Sequence, residues 1–464
     1  MAHLKFIERS LFWVIICLAV VLCIPAMSRG FFYDELYVVT HFLQSHRFLD
    51  VFSSGDDLNL ANHLGYTILA YFLSHFLGLH EWVVRLPALI FGVASIFILW
   101  LFVRRYIGKT TALISSFLLA LSPPFMAWST SARGYSASLF FAMFSTYLYF
   151  LLLDKPSKKL IFMLALTNVL SLSFHVFCLA LILAQLFHLI CFAIDNRREF
   201  LAKKAFLLSG MTAVGCSLFF SALIYLPLRW KMLVFNASMH KELFPNFPMV
   251  LLKDLLSVPI WPLGVVLLAW MVIGLINKKL RFVRSYILFL FLVPLLVWVS
   301  KPWYLFSRFF AFLLPFIFLL IAQGIVLTVK YFQGRFKVVI FLIIGLILSF
   351  VIWFWRTQPS TMVEDFNGQY REIVGYAEKI SSDDTNFCAF GRNDDFFQFY
   401  SNRPIKTFKT YNDFQLFYHQ QDSILCFATI GPPMEMEHKK ILIFMLNNNF
   451  KGRVFKDLWL FAIK

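Results

Sequence analysis

The sequence contains few charged residues for its length. Of its 464 residues, 14% are Asp, Glu, Lys or Arg, whereas 60% are hydrophobic. A soluble globular protein typically has about 25% charged and about 45–50% apolar residues. So little charge excludes a wholly water-soluble fold, because the surface could not be covered with polar side chains. We therefore expect a polytopic membrane protein whose solvent is largely the bilayer.

The sequence also lacks the cysteine patterns of a metal site. Its seven cysteines include no CxxC pair and no Cys/His spacing typical of metal ligands. Only Cys388 and Cys426 lie in the C-terminal tail, where they could pair if the tail faces an oxidising compartment. No internal repeat is evident, so the inverted-repeat pattern of many transporters is not supported. We expect neither a metal nor a cofactor.

Positive charge is unevenly distributed along the chain. Residues 1–355 contain 29 Lys/Arg and 12 Asp/Glu, whereas residues 356–464 contain 13 of each. The net charge of +17 therefore lies among hydrophobic segments, where basic loops set membrane orientation. This distribution argues against a nucleic-acid-binding protein.

Eleven apolar segments are long enough to cross about 30 Å of hydrocarbon. They cover residues 11–27, 84–103, 111–128, 136–153, 160–176, 178–194, 205–228, 259–276, 285–300, 304–328 and 338–355. Basic clusters fall in every second loop, which predicts a cytoplasmic N-terminus and an extracytoplasmic C-terminus. We thus predict an α-helical membrane protein with about 11 transmembrane helices, in the inner (plasma) membrane.

Two regions outside the spans have their own organisation. Segment 64–79 is apolar, but a span there would reverse the alternation of basic clusters, so it predicts an interfacial helix within outer loop 28–82. Residues 356–464 have soluble periodicity, with a helix over 370–380. Four strands are predicted there, over 385–391, 423–430, 440–446 and 453–463. We predict a transmembrane domain over 1–355 and a small α/β extracytoplasmic domain over 356–464.

Polar side chains cluster in three predicted outer segments. Asp34 and Glu35 follow the first span directly, and adjacent carboxylates beside a bilayer favour a cation, a metal or a proton-transfer role. Arg133 lies in a very short turn, where it is either a phosphate ligand or a snorkelling interfacial residue. Lys301 and Arg308 flank another short turn and could flank an anionic headgroup.

The order of these motifs resembles a known superfamily. An acidic pair follows the first span, Arg85-Leu86-Pro87 opens the second, and Leu121-Ser122-Pro123-Pro124 precedes Ser131-Ala132-Arg133-Gly134-Tyr135. This arrangement is similar to the polyprenyl-phosphate-sugar-dependent glycosyltransferases of the C-type fold (GT-C). The branch that it resembles is the protein mannosyltransferase and aminoarabinose transferase superfamily, and the similarity is strongest over residues 30–150.

The resemblance implies a reaction and a set of residues. A sugar would move from a polyprenyl phosphate to an extracytoplasmic lipid, glycan or protein, with inversion at the anomeric carbon. Asp34 would be the general base, with Glu35 as its neighbour or substitute. Arg133, Lys301 and Arg308 would bind the donor phosphate. The resemblance also makes Tyr135, His63 and Asp57 candidates for substrate contacts.

Two other classes of function remain open from the sequence. A transporter or lipid flippase would also be polytopic, although ion-coupled carriers usually place ionisable residues near the membrane midplane, and these spans contain very few. A noncatalytic assembly protein is the second alternative. Retention of Asp34 and Arg133 argues against it, because a degenerate relative need not keep them.

Overall fold

The computed structural model describes most of the chain. It covers residues 2–45, 47–52, 63–195, 204–235, 247–256, 261–300, 307–332, 370–391, 396–408, 410–421, 423–429, 436–448, 451–455 and 458–463, together with isolated positions between 338 and 353. These residues form two compact units. The first contains residues 1–27 and 48–364, and the second contains residues 28–47 and 365–464. The predicted domain boundary at residue 355 stays a prediction.

The described part of the first unit is almost entirely helical. Its α-helices are α1 (Ala2–Met27), α3 (Leu64–Leu77), α4 (Glu81–Tyr106), α5 (Lys109–Leu121), α6 (Pro123–Ser129), α7 (Tyr135–Asp154), α8 (Lys158–Phe174), α9 (Leu179–Asp195), α10 (Lys204–Phe235), α11 (Phe247–Leu256), α12 (Trp261–Ile276), α13 (Arg284–Ser300) and α14 (Leu314–Tyr331). Helix α2 (Tyr33–Val38) belongs to the second unit. Short 3₁₀ segments at Val176–Cys178 and Ser307–Leu313 precede α9 and α14.

The helices follow the predicted spans closely, but the number of full crossings is not confirmed. Each predicted span from 11–27 to 304–328 contains a helix. Within the described ranges, five helices are long and apolar enough to cross a membrane, or six if bent helices α5 and α6 form one span. Four further apolar stretches, which are α3, α12, residues Arg284–Val299 of α13 and residues Leu207–Leu223 of α10, are shorter than 18 residues. The predicted span 338–355 lies largely outside the described residues. The predicted segment 64–79 forms α3, which at 14 residues is only about 21 Å long.

Helix α14 runs through the core of the first unit. Every residue from Leu314 to Val326 is buried. Polar side chains on neighbouring helices are also buried, and they bond to one another: Asn168 donates to Gln185 at 2.9 Å and to Ser217 at 3.0 Å. Gln185 in turn donates to Ser145 at 2.7 Å. Such interhelical bonds fix helix packing where lipid offers no competing partner.

The second unit contains a five-stranded mixed sheet. Its strands are β1 (Asn386–Gly391), β2 (Ile405–Thr407), β3 (Ile424–Thr429), β4 (Lys451–Phe455) and β5 (Leu458–Ile463), in the order β2-β1-β3-β5-β4. Strands β1, β2 and β3 are parallel, whereas β5 is antiparallel to both β3 and β4. The remaining helices are α15 (Tyr370–Ile380), α16 (Phe396–Tyr400), α17 (Tyr411–Tyr418) and α18 (Met436–Asn447).

Side chains alternate between the two faces of this sheet, as strand geometry requires. On one face, Cys388 and Cys426 pack with Phe414 of α17 and with Ile441 of α18. On the other, the ring of Phe427 stacks on Phe397 of α16 at 4.9 Å. The predicted α/β domain is therefore present as a sheet with helices against both faces.

Two expectations for the tail are corrected. Residues 440–446 were expected to form a strand but belong to helix α18, where His438, Ile441 and Met445 are buried at helical spacing. A short apolar run fits a buried strand and a buried helix equally well, so its tertiary neighbours decide. Segment 453–463 was expected to be one strand, but it falls on the paired strands β4 and β5. The predicted helix 370–380 is confirmed as α15.

The two cysteines of the tail are joined in the structure. Cys388 on β1 and Cys426 on β3 are direct neighbours in the parallel register, with Cα atoms 4.5 Å apart, and they form a disulfide. Both side chains are fully buried. The pairing that the sequence leaves open is thus present, and it crosslinks the two strands at the centre of the sheet.

Candidate active site

A sharp bend brings a polar segment into the first unit. Helices α5 and α6 meet at an angle of 65° at Ser122, and prolines occupy the first positions of α6. Proline is well suited to a first helical turn but cannot continue the preceding helix, because it lacks an N–H. The chain then turns at residues 130–134 before α7 begins at Tyr135. Only five residues separate α6 from α7, so the turn is short.

Arg133 in this turn is buried by the protein. Its side chain is 4% exposed, and Tyr135 beside it is 1% exposed. A snorkelling arginine keeps its guanidinium group in water or among headgroups, with only the aliphatic stem buried. Burial of the whole residue is not the arrangement of such an anchor. It favours a role in which the charge acts inside the protein.

Gly134 allows three segments to meet beside Arg133. A Cβ atom at this position would collide with the carbonyl oxygen of Phe174 and lie 2.9 Å from His63 Nδ1. The His63 ring is itself held by a 2.6 Å hydrogen bond between Nδ1 and the Phe174 carbonyl, in which the nitrogen donates. Because glycine has no side chain, the turn can pack closely against the start of α3 and the end of α8.

Aromatic and imidazole rings form the next layer. The His63 ring lies 5.1 Å from Tyr135 and 5.3 Å from His175, measured between centroids. Arg308, in the 3₁₀ segment before α14, places its guanidinium carbon 6.0 Å from the centroid of Tyr135. The positive charges of Arg133 and Arg308 both act on buried His175. The structure thus gathers two arginines, two histidines and a tyrosine from four separate parts of the chain.

Several buried hydroxyl groups lie within four residues of Arg133 in the sequence. The Oγ atoms of Ser129, Ser131 and Ser136 are buried and make no hydrogen bond with the described residues. A buried hydroxyl without a partner is unfavourable by about 1–3 kcal/mol, so such groups usually serve a ligand or an ordered water. Hydroxyl donors together with guanidinium groups are the typical ligands of a phosphate. We call the set His63, Arg133, Tyr135, His175 and Arg308 the basic cluster.

The predicted acidic residues lie in the second unit, on helix α2. Glu35 is completely buried, and its Oε2 accepts a hydrogen bond from the backbone N–H of Phe32 at 3.2 Å. It therefore caps the first turn of α2. Asp34 is half-buried at the same turn. A half-buried carboxylate can exchange protons with solvent or substrate, which a capping carboxylate does less easily, so Asp34 is the stronger candidate for a base.

The predicted site residues are thus divided by the structure. His63, Arg133, Tyr135 and Arg308 belong to the basic cluster, whereas Asp34 and Glu35 lie on α2. Asp57 and Lys301 lie outside the described residues. Within the described ranges, no group of three His, Cys, Asp or Glu residues is arranged to hold a metal ion.

Sequence reasoning missed His175 and the three serines. A lone histidine at the end of a span suggested a packing residue, and hydroxyl side chains are common in membrane helices. His175 could have been recognised from the sequence, because it lies at a predicted outer turn between two spans, on the same predicted side of the membrane as Arg133. The serines Ser129, Ser131 and Ser136 carried a weaker signal, their density around that arginine.

Comparison with known sequences points to sugar transferases. The sequence model of the dolichyl-phosphate-mannose-protein mannosyltransferase family matches residues 65–225, a range that includes Arg133, Tyr135 and His175. The chain is also 34% identical over 98 residues to the putative mannosyltransferase YkcB of Bacillus subtilis. That alignment covers 21% of this chain and 13% of the relative, so the chain spans only a small part of its length.

Comparison with solved structures covers nearly the whole chain. ArnT from Cupriavidus metallidurans in the apo state matches with a TM-score of 0.53 at 11% identity, over 100% of this chain and 98% of ArnT. The same protein bound to undecaprenyl phosphate gives a TM-score of 0.52 at 12% identity, over 97% of each chain. The archaeal oligosaccharyltransferase AglB from Archaeoglobus fulgidus, solved with an inhibitory peptide and a dolichol-phosphate, matches with a TM-score of 0.53 at 12% identity, over 91% of this chain and 69% of AglB.

These matches agree with the features that the sequence and the helices share. The apolar helices mark a multi-pass membrane protein. The family match covers the segment that forms most of the basic cluster, and the structural matches extend through the small sheet of the second unit. The resemblance is confirmed: the chain is a multi-pass membrane protein of the GT-C fold, similar to the dolichyl-phosphate-mannose-protein mannosyltransferase family over residues 65–225.

Proposed function

We propose that this protein is a membrane glycosyltransferase that moves a sugar from a polyprenyl-phosphate donor to an extracytoplasmic acceptor. One observation supports this most strongly: the family match covers a turn in which a buried arginine lies within four residues of buried serine hydroxyls that have no partner among the described residues. Such a turn suits the phosphate of a lipid-linked sugar, because it supplies charge and donors away from water. The acceptor would be lipid A or lipopolysaccharide, another envelope glycan, or a protein.

In the proposed reaction, Asp34 accepts the proton of an acceptor hydroxyl as the oxygen attacks the anomeric carbon of the donor. The bond between that carbon and the phosphate oxygen breaks, and the polyprenyl phosphate leaves with the bonding electrons. Arg133 and Arg308, with Lys301, stabilise the negative charge that develops on the leaving phosphate. Tyr135, His63 and Asp57 contact the substrate. The transferred sugar is a hexose or a pentose.

The reaction is tested with purified protein and radiolabelled donors. Polyprenyl phosphates carrying mannose, glucose or aminoarabinose are each incubated with an extract of envelope glycolipids and proteins. We expect one donor to lose its label to a product that no longer carries the polyprenyl chain. A transporter or flippase would move labelled lipid between leaflets and leave it chemically intact, and that result would refute the transferase.

We further propose that the second unit and loop 28–82 lie outside the cytoplasm, with the N-terminus inside the cell. The buried disulfide between Cys388 and Cys426 supports this, because disulfides persist in oxidising compartments. Single cysteines introduced at Asp56 and Thr410 should react with a membrane-impermeant maleimide in intact spheroplasts. Labelling of either site only after permeabilisation would show that the predicted topology is wrong.

A further inference from the structure

The second unit contains a cleft that the proposed reaction does not use. It has a volume of about 490 Å³ and lies between residues 28–30 and helix α15. That volume falls in the range of about 300–1,000 Å³ that is usual for small-ligand sites. Because all of its lining residues belong to the second unit, the cleft is complete within that unit.

The cleft is lined with an excess of positive charge. Among the described residues, Arg29, Arg371 and Lys379 line it together with one carboxylate, that of Glu372. The guanidinium carbon of a further arginine, Arg453 on β4, lies 4.2 Å from the ring centroid of Tyr376, which also lines the cleft. Three cations against one anion, with a fourth cation on an aromatic wall, favour an anionic ligand.

A notch on helix α15 gives the cleft its shape. Arg371, Gly375 and Lys379 follow one another at intervals of four residues, so they share one face of the helix. Two turns of helix separate the cations by about 12 Å along the axis, with glycine between them. A Cβ atom at Gly375 would have no heavy atom within 4 Å, so the space between the two cations is open. Arg371 Nη1 donates to the carbonyl of Ser28 at 3.1 Å, which holds one side of the notch in place.

The cleft begins where the chain leaves the first apolar helix. Ser28 follows Met27 directly, and Phe6–Met27 is long and apolar enough to cross a membrane. Consecutive Cα atoms are only 3.8 Å apart, so this edge of the cleft lies at the level where a spanning helix meets lipid headgroups. Phosphate is the anionic group most abundant there. We propose that the cleft binds the phosphate of an anionic phospholipid headgroup.

Binding is measured on the full chain without sugar donor or acceptor. The protein is placed in nanodiscs of phosphatidylcholine that contain a minor fraction of phosphatidylglycerol, and the phospholipid it retains is quantified by native mass spectrometry. A parallel arm uses phosphatidylcholine alone and adds inorganic phosphate. We expect the protein to retain phosphatidylglycerol preferentially over phosphatidylcholine and to bind inorganic phosphate much more weakly, because the lipid is already concentrated at the membrane surface.

Two substitutions target the notch and one serves as a control. Lys379→Gln should weaken phosphatidylglycerol retention about tenfold, since a charged hydrogen bond is lost. Gly375→Glu should weaken retention at least as much, because its carboxylate would enter the space that the phosphate occupies in the proposal. Lys440→Gln removes the same charge from an exposed residue of α18 that pairs with Glu437, and it should leave retention unchanged.

Three results would overturn the proposal. Wild-type retention in both Lys379→Gln and Gly375→Glu would show that the cleft is not the site. An equal loss of phosphatidylglycerol retention in Lys440→Gln would show that retention depends only on the net charge of the protein. Inorganic phosphate that binds as tightly as phosphatidylglycerol would make the ligand a soluble anion instead of a headgroup. None of these bears on the transfer reaction, because no donor is present.

Discussion

Two basic sites, one in each unit, hold their cations in opposite ways. In the first unit, Arg133 of the basic cluster is buried at 4% exposure, whereas in the second unit Arg371 and Lys379 are exposed around an open cleft. A buried cation acts strongly on a ligand, because little water screens it, and its desolvation must be offset by the fold. An exposed cation attracts a ligand weakly and is screened by salt. The first arrangement suits chemistry, and the second suits reversible attachment.

The acidic helix of the second unit repeats this contrast within two residues. Glu35 is fully buried and caps α2 through Phe32, whereas Asp34 remains half-buried. One carboxylate is therefore fixed at the helix terminus, and its neighbour is the more exposed of the two. Substitution of Asp34 should therefore lower the rate of transfer, and substitution of Glu35 should lower the melting temperature. Both effects can be measured.

The largest expected effect concerns Asp34. Asp34→Asn should lower the rate of sugar transfer by about 10²–10⁴-fold, because the amide cannot accept the acceptor proton. Expression, melting temperature and donor binding should stay at wild-type levels. Turnover of radiolabelled donor by purified protein provides the measurement.

Two variants in the same unit sharpen this result. Asp383→Asn alters an exposed carboxylate that pairs with Arg403 at 3.4 Å, and it should keep full activity. Glu35→Gln should lower the melting temperature more than Asp34→Asn does, because it weakens the cap on α2. Near wild-type turnover in Asp34→Asn would remove Asp34 as the base.

Arg133 should show the next largest effect. Arg133→Ala should lower turnover by about 10²–10³-fold and weaken donor binding as well, since the guanidinium contact strengthens as the phosphate gains charge. Arg133→Lys should retain part of the activity, because it keeps the charge but loses the planar fork. Turnover and donor affinity are measured per folded molecule.

The matched control is Arg105→Lys, which alters an exposed arginine paired with Asp154 in the same unit. It should leave turnover and donor affinity unchanged. If purified Arg133→Ala has normal turnover and normal donor affinity, the residue is a structural anchor despite its burial.

A smaller effect is expected for the glycine that holds the basic cluster together. Gly134→Ala should destabilise the first unit by about 1–3 kcal/mol, because its Cβ would collide with the Phe174 carbonyl and crowd His63. The melting temperature should fall, and transfer should slow in proportion to the displacement of Arg133. An unchanged melting temperature would mean that the turn can move away at no cost.

The smallest effect is expected for a glycine-to-alanine substitution in the second unit. Gly375→Ala should stabilise helix α15 by about 0.5–1 kcal/mol, since alanine has the higher helix propensity and its Cβ meets open space. Opposite shifts in the melting temperatures of the two alanine variants would confirm the contrast between a crowded turn and an open notch. A loss of stability in Gly375→Ala would contradict it.

Hydropathy alone predicted the positions of the membrane helices well, because each helix satisfies its own backbone and needs only an apolar surface. Each predicted span from 11–27 to 304–328 contains a helix, and α15 falls on its predicted helix, whereas α2 and α11 were not predicted. The tail was harder. Residues 440–446 form a helix because Ile441 and Met445 pack on the sheet, and the sequence carries no local mark of that contact.

The candidate site was predictable in part. Arg133, Tyr135 and His63 stand out in the sequence as polar residues at predicted outer turns, and they lie together in the structure. Their grouping with His175 and Arg308 depends on the packing of helices far apart in the chain. Glu35 caps α2 through Phe32, only three residues away, so the cap is a local contact, whereas the complete burial that distinguishes Glu35 from half-buried Asp34 depends on tertiary packing.

The sequence by itself therefore determined the membrane character, the helix positions and the motifs that carry the resemblance. Each of these follows from local hydrophobicity, charge and residue order. Only the tertiary structure decided that Arg133 and Glu35 are buried and that a basic cleft lies beside Ser28. Those properties depend on contacts between residues distant in sequence, which no local pattern specifies.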